Sequence, residues 1–334
     1  MVLAFIDIHK HVFQACAVEP ETGTLYDERF AASVEGVDAW LAGLPEPPRV
    51  VAIESTSGWR WVWRLLAERG IEVQLVDPGQ ARALQGRQRK PKTDKLDARW
   101  GVLLLEKEML PQAWIPPIEI QQLRDQTRLR RALVVDRTRW AQRLHALLQH
   151  EGFPVRRSRL LTAEGRRWAA SVSFAPHLRS IVDTMLSVIS ALDAQIDQLE
   201  TTLRRFARSD ARCRALTTLR GIGPIFACVL VAEIGDAKRF RRARQLVRAA
   251  GIDPVVADSA DTRRRGRLSK AGSPHLRHAL VEAATWAARP GSPDHPRYLA
   301  TKQRIGSQKA RISCARSLAG RIHRTLLELD TQAA

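Results

Sequence analysis

The stretch Arg49-Val50-Val51-Ala52-Ile53-Glu54-Ser55-Thr56-Ser57-Gly58 decides the class of fold. Four consecutive apolar residues, three of them β-branched, read as a buried-type strand, and the run ends in an acid. Ser55-Thr56-Ser57-Gly58 then opens a helix that carries Trp59, Trp61, Trp63, Leu65 and Leu66. Gly70 caps that helix, and Ile71–Val76 is the next strand, closed by Asp77-Pro78. Working outward, Val2–Asp7 is a second short apolar strand that ends in an acid. Val12–Val18 and Leu25–Phe30 continue as strands around the turn Pro20-Glu21-Thr22-Gly23. Val34–Leu44 has helical spacing, and Pro45–Pro48 stops it. Three hairpin-like strands followed by alternating helices and strands predict an α/β sheet of mixed direction. Asp7 and Glu54 then stand at the C-terminal ends of strands, where open α/β sheets place their sites.

Lys92-Thr93-Asp94-Lys95-Leu96-Asp97-Ala98-Arg99 adds two carboxylates three residues apart, on one face of a helix that runs to about Glu108. Arg87, Arg89 and Lys90 precede it. One reading is an exposed helix laced by i,i+3 and i,i+4 salt bridges. The other is a set of four acids, Asp7, Glu54, Asp94 and Asp97, converging on one or two divalent ions that must meet a phosphate.

Charge favours the second reading. The 334 residues carry a net charge of +19, unevenly spread. Residues 1–200 hold 27 Lys/Arg against 25 Asp/Glu, and residues 201–334 hold 27 against 10. The C-terminal part is built to meet a polyanion, and nucleic acid is the default partner. Four scattered cysteines with no CxxC pair argue against a zinc site or a disulfide framework. No run of about 18 apolar residues exists. The start MVLAFIDIHK lacks a signal-type core. A cytoplasmic, nucleoid-associated protein with no membrane partner is expected.

Phe5-Ile6-Asp7-Ile8-His9-Lys10, Ile53-Glu54-Ser55-Thr56-Ser57-Gly58-Trp59 and Lys92–Arg99 together resemble the three acidic motifs of the DEDD transposases of the insertion-sequence 110/1111 family. The resemblance implies a RuvC-like, RNase H-like first domain with Asp7, Glu54, Asp94 and Asp97 as a Mg²⁺-binding tetrad. It also implies a coiled-coil region used for oligomerisation, and a C-terminal domain that holds a nucleophilic serine.

Downstream, Pro111–Pro117 reads as a linker, and Glu119 to about His150 as one long Arg-rich helix. That helix has an apolar stripe of Leu123, Leu133, Trp140, Leu144 and Leu147. It is either a solvated amphipathic helix or a phosphate-contacting one. Leu178–Phe206 carries a heptad-like seam of Ile181, Met185, Val188, Leu192, Ile196, Leu199, Leu203 and Phe206, open to packing within the chain or between chains. Leu219-Arg220-Gly221-Ile222-Gly223-Pro224 resembles the hairpin of helix-hairpin-helix modules. Three regions follow: a RuvC-like DEDD domain over 1–112, a helical coiled-coil region over 113–212 and a mainly α-helical transposase domain over 213–334.

Val255–Leu268, followed by Ser269-Lys270-Ala271-Gly272, resembles the family's second domain, which runs through a Ser-Gly pair and a basic loop to a Ser-Lys-x-Gly element. The nucleophile is carried onto Ser259, although the pair here reads Ser259-Ala260; Ser269 is the reserve candidate. A serine hydroxyl needs a base or a nearby cation before it attacks. Arg263, Arg264, Arg265, Arg267, Lys270 and Arg277 can neutralise a phosphodiester, and Asp258 or Asp261 could take the proton. Family membership implies an insertion-sequence transposase that cuts and rejoins DNA through the serine, guided by a structured non-coding RNA and acting as a homodimer or higher oligomer. The competing reading is a metal-dependent nuclease or junction resolvase with water as nucleophile.

Overall fold

The computed structural model describes residues 1–84, 93–259 and 262–332; the side chains of residues 256–259, 262–266 and 332 also lie outside that description. The chain forms two compact units, residues 1–115 and 116–334.

In the first unit the elements are β1 (Leu3–Ile8), β2 (Val12–Glu19), β3 (Thr24–Ala31), α1 (Val34–Gly43), β4 (Val50–Glu54), α2 (Trp59–Glu68), β5 (Glu72–Val76), α3 (Pro78–Leu84), α4 (Asp94–Glu106) and β6 (Gln112–Ala113). The sheet order is β3-β2-β1-β4-β5-β6. β1, β4 and β5 are parallel neighbours, and the β1–β2, β2–β3 and β5–β6 pairs are antiparallel. The mixed sheet is therefore present, with one correction. The segment expected as a linker begins with β6, where Gln112 and Ala113 pair with Val76 and Leu75. Two residues are too few to show a period of two, so composition alone could not reveal this edge strand.

Strand periodicity sorts the core into two layers. Ala4, Ile6 and Ile8 of β1, with Val51 and Ile53 of β4, pack on Val37 and Trp40 of α1 and Val62, Leu65 and Leu66 of α2. Phe30 stacks on Trp40, and Phe13 on Trp61. On the opposite face Phe5, Cys16, Val50 and Ala52 pack on Ala98, Val102 and Leu105 of α4. Asp7 follows Phe5 by two, and Glu54 follows Ala52 by two, so both acids belong to the α4 face.

The second unit comprises α5 (Ile118–His150), α6 (Arg157–Leu160), α7 (Ala163–Ser171), α8 (Pro176–Ser209), α9 (Ala211–Thr217), α10 (Pro224–Ile234), α11 (Ala243–Ala249), the hairpin β7 (Pro254–Ser259) and β8 (Thr262–Leu268), α12 (Pro274–Ala284), α13 (His295–Ile305) and α14 (Ser307–Gln332). The long helices α5 and α8 run antiparallel. Arg130 of α5 bonds Glu200, one helical stretch before Arg137 bonds Asp193 (Nη1–Oδ1, 2.8 Å). Val182, Ile189, Ile196 and Leu203 form the buried line of α8, spaced by seven. The expected seam was displaced by one residue at its start: Ile181 is 43% exposed. A stripe counted in steps of three and four can begin on either of two adjacent apolar residues, and here Val182 faces inward.

The Arg-rich face of α5 was expected to meet solvent or phosphate, and part of it instead meets neighbouring helices. Arg128 makes a two-pronged bond to buried Glu233 of α10, Nε–Oε1 at 2.8 Å and Nη2–Oε2 at 3.0 Å. Arg124 donates to the carbonyls of Ala232 and Glu233. Arg130 and Arg137 are held by acids of α8. These guanidiniums tie helix to helix rather than face only solvent or phosphate.

Candidate metal centre and serine hairpin

Asp7 lies near the end of β1, opposite Gln14 of β2. The parallel register pairs Ile6 with Ile53, and the next step along it sets Asp7 beside Glu54. Helix α4 brings the other two acids. Thr93 caps it, its hydroxyl accepting from the Leu96 amide at 3.3 Å. Asp94 and Asp97 thus occupy the first turn, where the helix dipole favours carboxylates. The approach of α4 to β1 depends on Gly101, because a Cβ built there would lie 2.3–2.5 Å from the Phe5 ring. On the outer side Arg99 binds Asp27 of β3 through Nε at 3.0 Å, and Lys95 Nζ stands 3.3 Å from the same carboxylate. Two of the basic residues in the helical motif therefore fasten α4 to the sheet. Asp27 is held below the usual carboxylate range, mainly by the Arg99 hydrogen bond.

His9, the first residue beyond β1, has Nε2 3.2 Å from Asp7 Oδ2 and 3.4 Å from Asp94 Oδ2. The donor atoms of Asp7, His9 and Asp94 all lie within 4.8 Å of one another. Glu54 and Asp97 line an adjoining cleft with Arg82 of α3, Trp100 and Gly101. Burial pushes the Asp7 carboxyl above its ordinary range, opposed by His9 and reinforced by Asp94 and Asp97. Burial likewise raises Glu54; Asp7 and Asp97 add to the rise, and Arg82 and His9 oppose it. Crowded, half-desolvated carboxylates of this kind are relieved by a cation, and an all-oxygen acid set suits a hard divalent ion. The donor chemistry fits a divalent metal.

In the second unit the backbone of β7 and β8 pairs Ser259 with Thr262 at the hairpin end. The side chains of Ser259, Asp258, Arg263, Arg264 and Arg265 lie outside the described residues, as do Asp261, Arg87, Arg89, Lys90 and Lys92. At the hairpin base the Ser269 hydroxyl donates to the Asp253 carboxylate, and the Ser269 amide bonds the Asp253 carbonyl at 2.9 Å. Arg316 of α14 donates to the neighbouring Ile252 carbonyl at 2.7 Å. Arg267 and Lys270 are exposed, and Arg277 donates to the Ala250 carbonyl at 3.1 Å.

Two family profiles match the chain. One, for DEDD transposases of the IS110 type and described as a transposase, spans residues 5–153. The other, described as the transposase IS116/IS110/IS902 family, spans residues 213–299. A protein of Pseudomonas aeruginosa named a probable family 20 transposase is 30% identical over 250 residues, covering 73% of this chain and 72% of its own length. The chain belongs to the IS116/IS110/IS902 transposase family. Among its other relatives, y4rJ of Sinorhizobium fredii, also named a transposase, is 31% identical over 259 residues, 71% of this chain and 65% of that protein. The transposase of element IS1111A from Coxiella burnetii is 24% identical over 290 residues, 84% of this chain and 76% of that one.

In this family member the four acids anticipated from sequence share one end of the sheet. Two nearby residues were missed. His9 and Arg82 sit beside the acids, and neither carries a periodic or spacing signal; only the bend after β1 and the position of the short α3 bring them there. A second cleft was also unforeseen. Thr127, Arg130 and Arg131 of α5 meet Phe226 and Val229 of α10 and His275 and His278 of α12. Burial lowers the affinity of both imidazoles for a proton. No helix among the described residues is long and apolar enough to cross a membrane.

Proposed function

We propose that this transposase cuts and rejoins DNA by a composite chemistry, with the acidic tetrad binding Mg²⁺ and Ser259 attacking the phosphodiester. The observation that carries the reading is the gathering of Asp7, Glu54, Asp94 and Asp97 around the ends of β1 and β4. The strand order, with a parallel β1-β4-β5 core extended by antiparallel β2 and β3, supports a RuvC-like, RNase H-like fold for this unit.

A divalent ion held there would supply charge to the non-bridging phosphate oxygens and ease nucleophilic attack. Asp7 and Glu54 would hold it from the sheet, and Asp94 and Asp97 from the helix. The serine hydroxyl would form a new bond from Oγ to phosphorus, and the bond from phosphorus to one deoxyribose oxygen would break. The serine proton passes to a base and a proton is returned to the departing oxygen, which leaves as a hydroxyl; Arg263, Arg264, Arg265, Arg267, Lys270 and Arg277 would offset the phosphate charge. Rejoining reverses the step on a second strand end. Guidance by a structured RNA and homo-oligomeric assembly belong to the same proposal, supported by the +17 excess of residues 201–334.

One observation favours a second assignment of the nucleophile. The Ser269 hydroxyl already has a carboxylate partner, Asp253, positioned as a base. The test is a denaturing gel for a covalent protein–DNA adduct with wild type, Ser259→Ala and Ser269→Ala, in the presence of Mg²⁺ and copurified RNA. Loss of the adduct in Ser259→Ala alone supports the main reading. Loss in Ser269→Ala alone moves the nucleophile. Cleavage without any adduct in all three favours a nuclease that uses water.

A further inference from the structure

The tetrad does not account for His9. Its ring stands against two of the acids, and its distances are informative. Charge-assisted N–H···O bonds to carboxylates run at about 2.7–2.9 Å. His9 Nε2 lies 3.2 and 3.4 Å from its two carboxylate oxygens, shared between them rather than held tightly by either. Donors that share an octahedral ion at about 2.1 Å are separated by about 3.0 Å when adjacent and about 4.2 Å when opposite. The two His9 distances lie between those values, and the Asp7, His9 and Asp94 donor atoms all lie within 4.8 Å of one another. Their supports are unlike one another: Asp7 is in a strand, His9 just past its end, and Asp94 in the first turn of a helix. The ring is also half exposed, at 49%, so it is reachable from solvent.

We propose that His9 is a nitrogen ligand of the divalent-cation site, forming with Asp7 and Asp94 a mixed donor set that prefers a transition ion such as Mn²⁺ to Mg²⁺. The inference rests on the reading of the acids as a cation site and adds a ligand to it. Mg²⁺ takes oxygen donors and gives up its water reluctantly, whereas an imidazole nitrogen shifts affinity towards first-row transition ions. His9 would thereby tune which ion the transposase selects, while Glu54 and Asp97, which line the adjoining cleft, add oxygen donors to the same set.

The experiment uses the full chain. Mn²⁺ binding is followed by calorimetry and by pulsed electron paramagnetic resonance, which detects a nitrogen bonded to the ion, and Mg²⁺ binding is measured in parallel. Wild type should show nitrogen coupling and bind Mn²⁺ at least about tenfold more tightly than Mg²⁺. His9→Ala should lose the coupling and about tenfold or more of its Mn²⁺ affinity, with less than about threefold change for Mg²⁺. Added imidazole should restore the coupling in His9→Ala. Circular dichroism of each variant verifies that the fold is kept. A wild-type Mn²⁺ signal without nitrogen coupling overturns the inference, as does a His9→Ala variant with both affinities unchanged while Asp7→Asn loses binding; either result leaves the acidic site standing. Failure of wild type to bind either ion removes the cation site itself, and the inference with it.

Discussion

Asp7 and Glu233 are both buried carboxylates, 7% and 4% exposed, in different units of the chain. They behave in opposite ways. Burial raises Asp7, and the neighbouring acids raise it further. Burial would raise Glu233 too, but the Arg128 and Ser273 hydrogen bonds outweigh it and hold the group below its ordinary range. Ser273 donates to Glu233 at 2.8 Å while capping α12 through the Leu276 amide. One acid is thus saturated with donors and knits α5, α10 and α12 together. The other has further acids and one imidazole for neighbours, the surroundings that the proposed cation site calls for. Partners, rather than depth, separate a carboxylate that holds a fold from one available to chemistry.

The contrast can be broken first through activity. Asp7→Asn and Glu54→Gln should each lower DNA strand cleavage by about 10³-fold or more, equivalent to several kcal/mol of metal-assisted stabilisation, with an unchanged circular dichroism spectrum. A loss below tenfold would place these acids with the structural class. Stability gives the reverse test. Glu233→Ala should cost about 2–3 kcal/mol in denaturant unfolding, less than for a wholly enclosed pair because Arg128 is 41% exposed. If Asp7→Asn destabilised the metal-free protein as much, the comparison would fail.

A packing change comes next. Gly101→Ala should cost about 1–3 kcal/mol, because the new methyl meets the Phe5 ring, and divalent-ion affinity should fall as α4 shifts. Recovery of both in Gly101→Ala with Phe5→Leu would tie the effect to that contact. The smallest effect concerns pH. The folded-state affinities of Asp7 and Glu54 for protons exceed those of the unfolded chain. Between the ordinary carboxylate range and the raised one, the folded state therefore binds more protons. The contribution of these groups to stability is present at low pH and is lost as pH rises through the raised window. Thermal melts of metal-free protein should show that loss, Asp7→Asn should flatten it, and added divalent ion should offset it.

Much of the first unit was legible because its signals are local. Strand runs ending in acids and a helix stopped by Gly70 each declare themselves within about a dozen residues, and the strand ends then place Asp7 and Glu54 where open α/β sheets put their sites. The second unit was less legible because its decisive pairings are remote. Arg128 finds Glu233 across 105 residues, and Arg130 finds Glu200 across 70. No count of charges on α5 could distinguish these internal ties from a solvated or phosphate-binding surface. The same limit hid His9, whose role depends on a helix 85 positions later bringing Asp94 beside it.

The Gly101–Phe5 contact bears on how the centre could evolve or be redesigned. The stand-off between helix and strand is set where Gly101 rests on the Phe5 ring, so the acids themselves do not prop the jaws apart. Replacing an acid would alter what is gripped but leave the gauge intact. New coordination chemistries could therefore be sampled one side chain at a time within a scaffold that keeps its aperture.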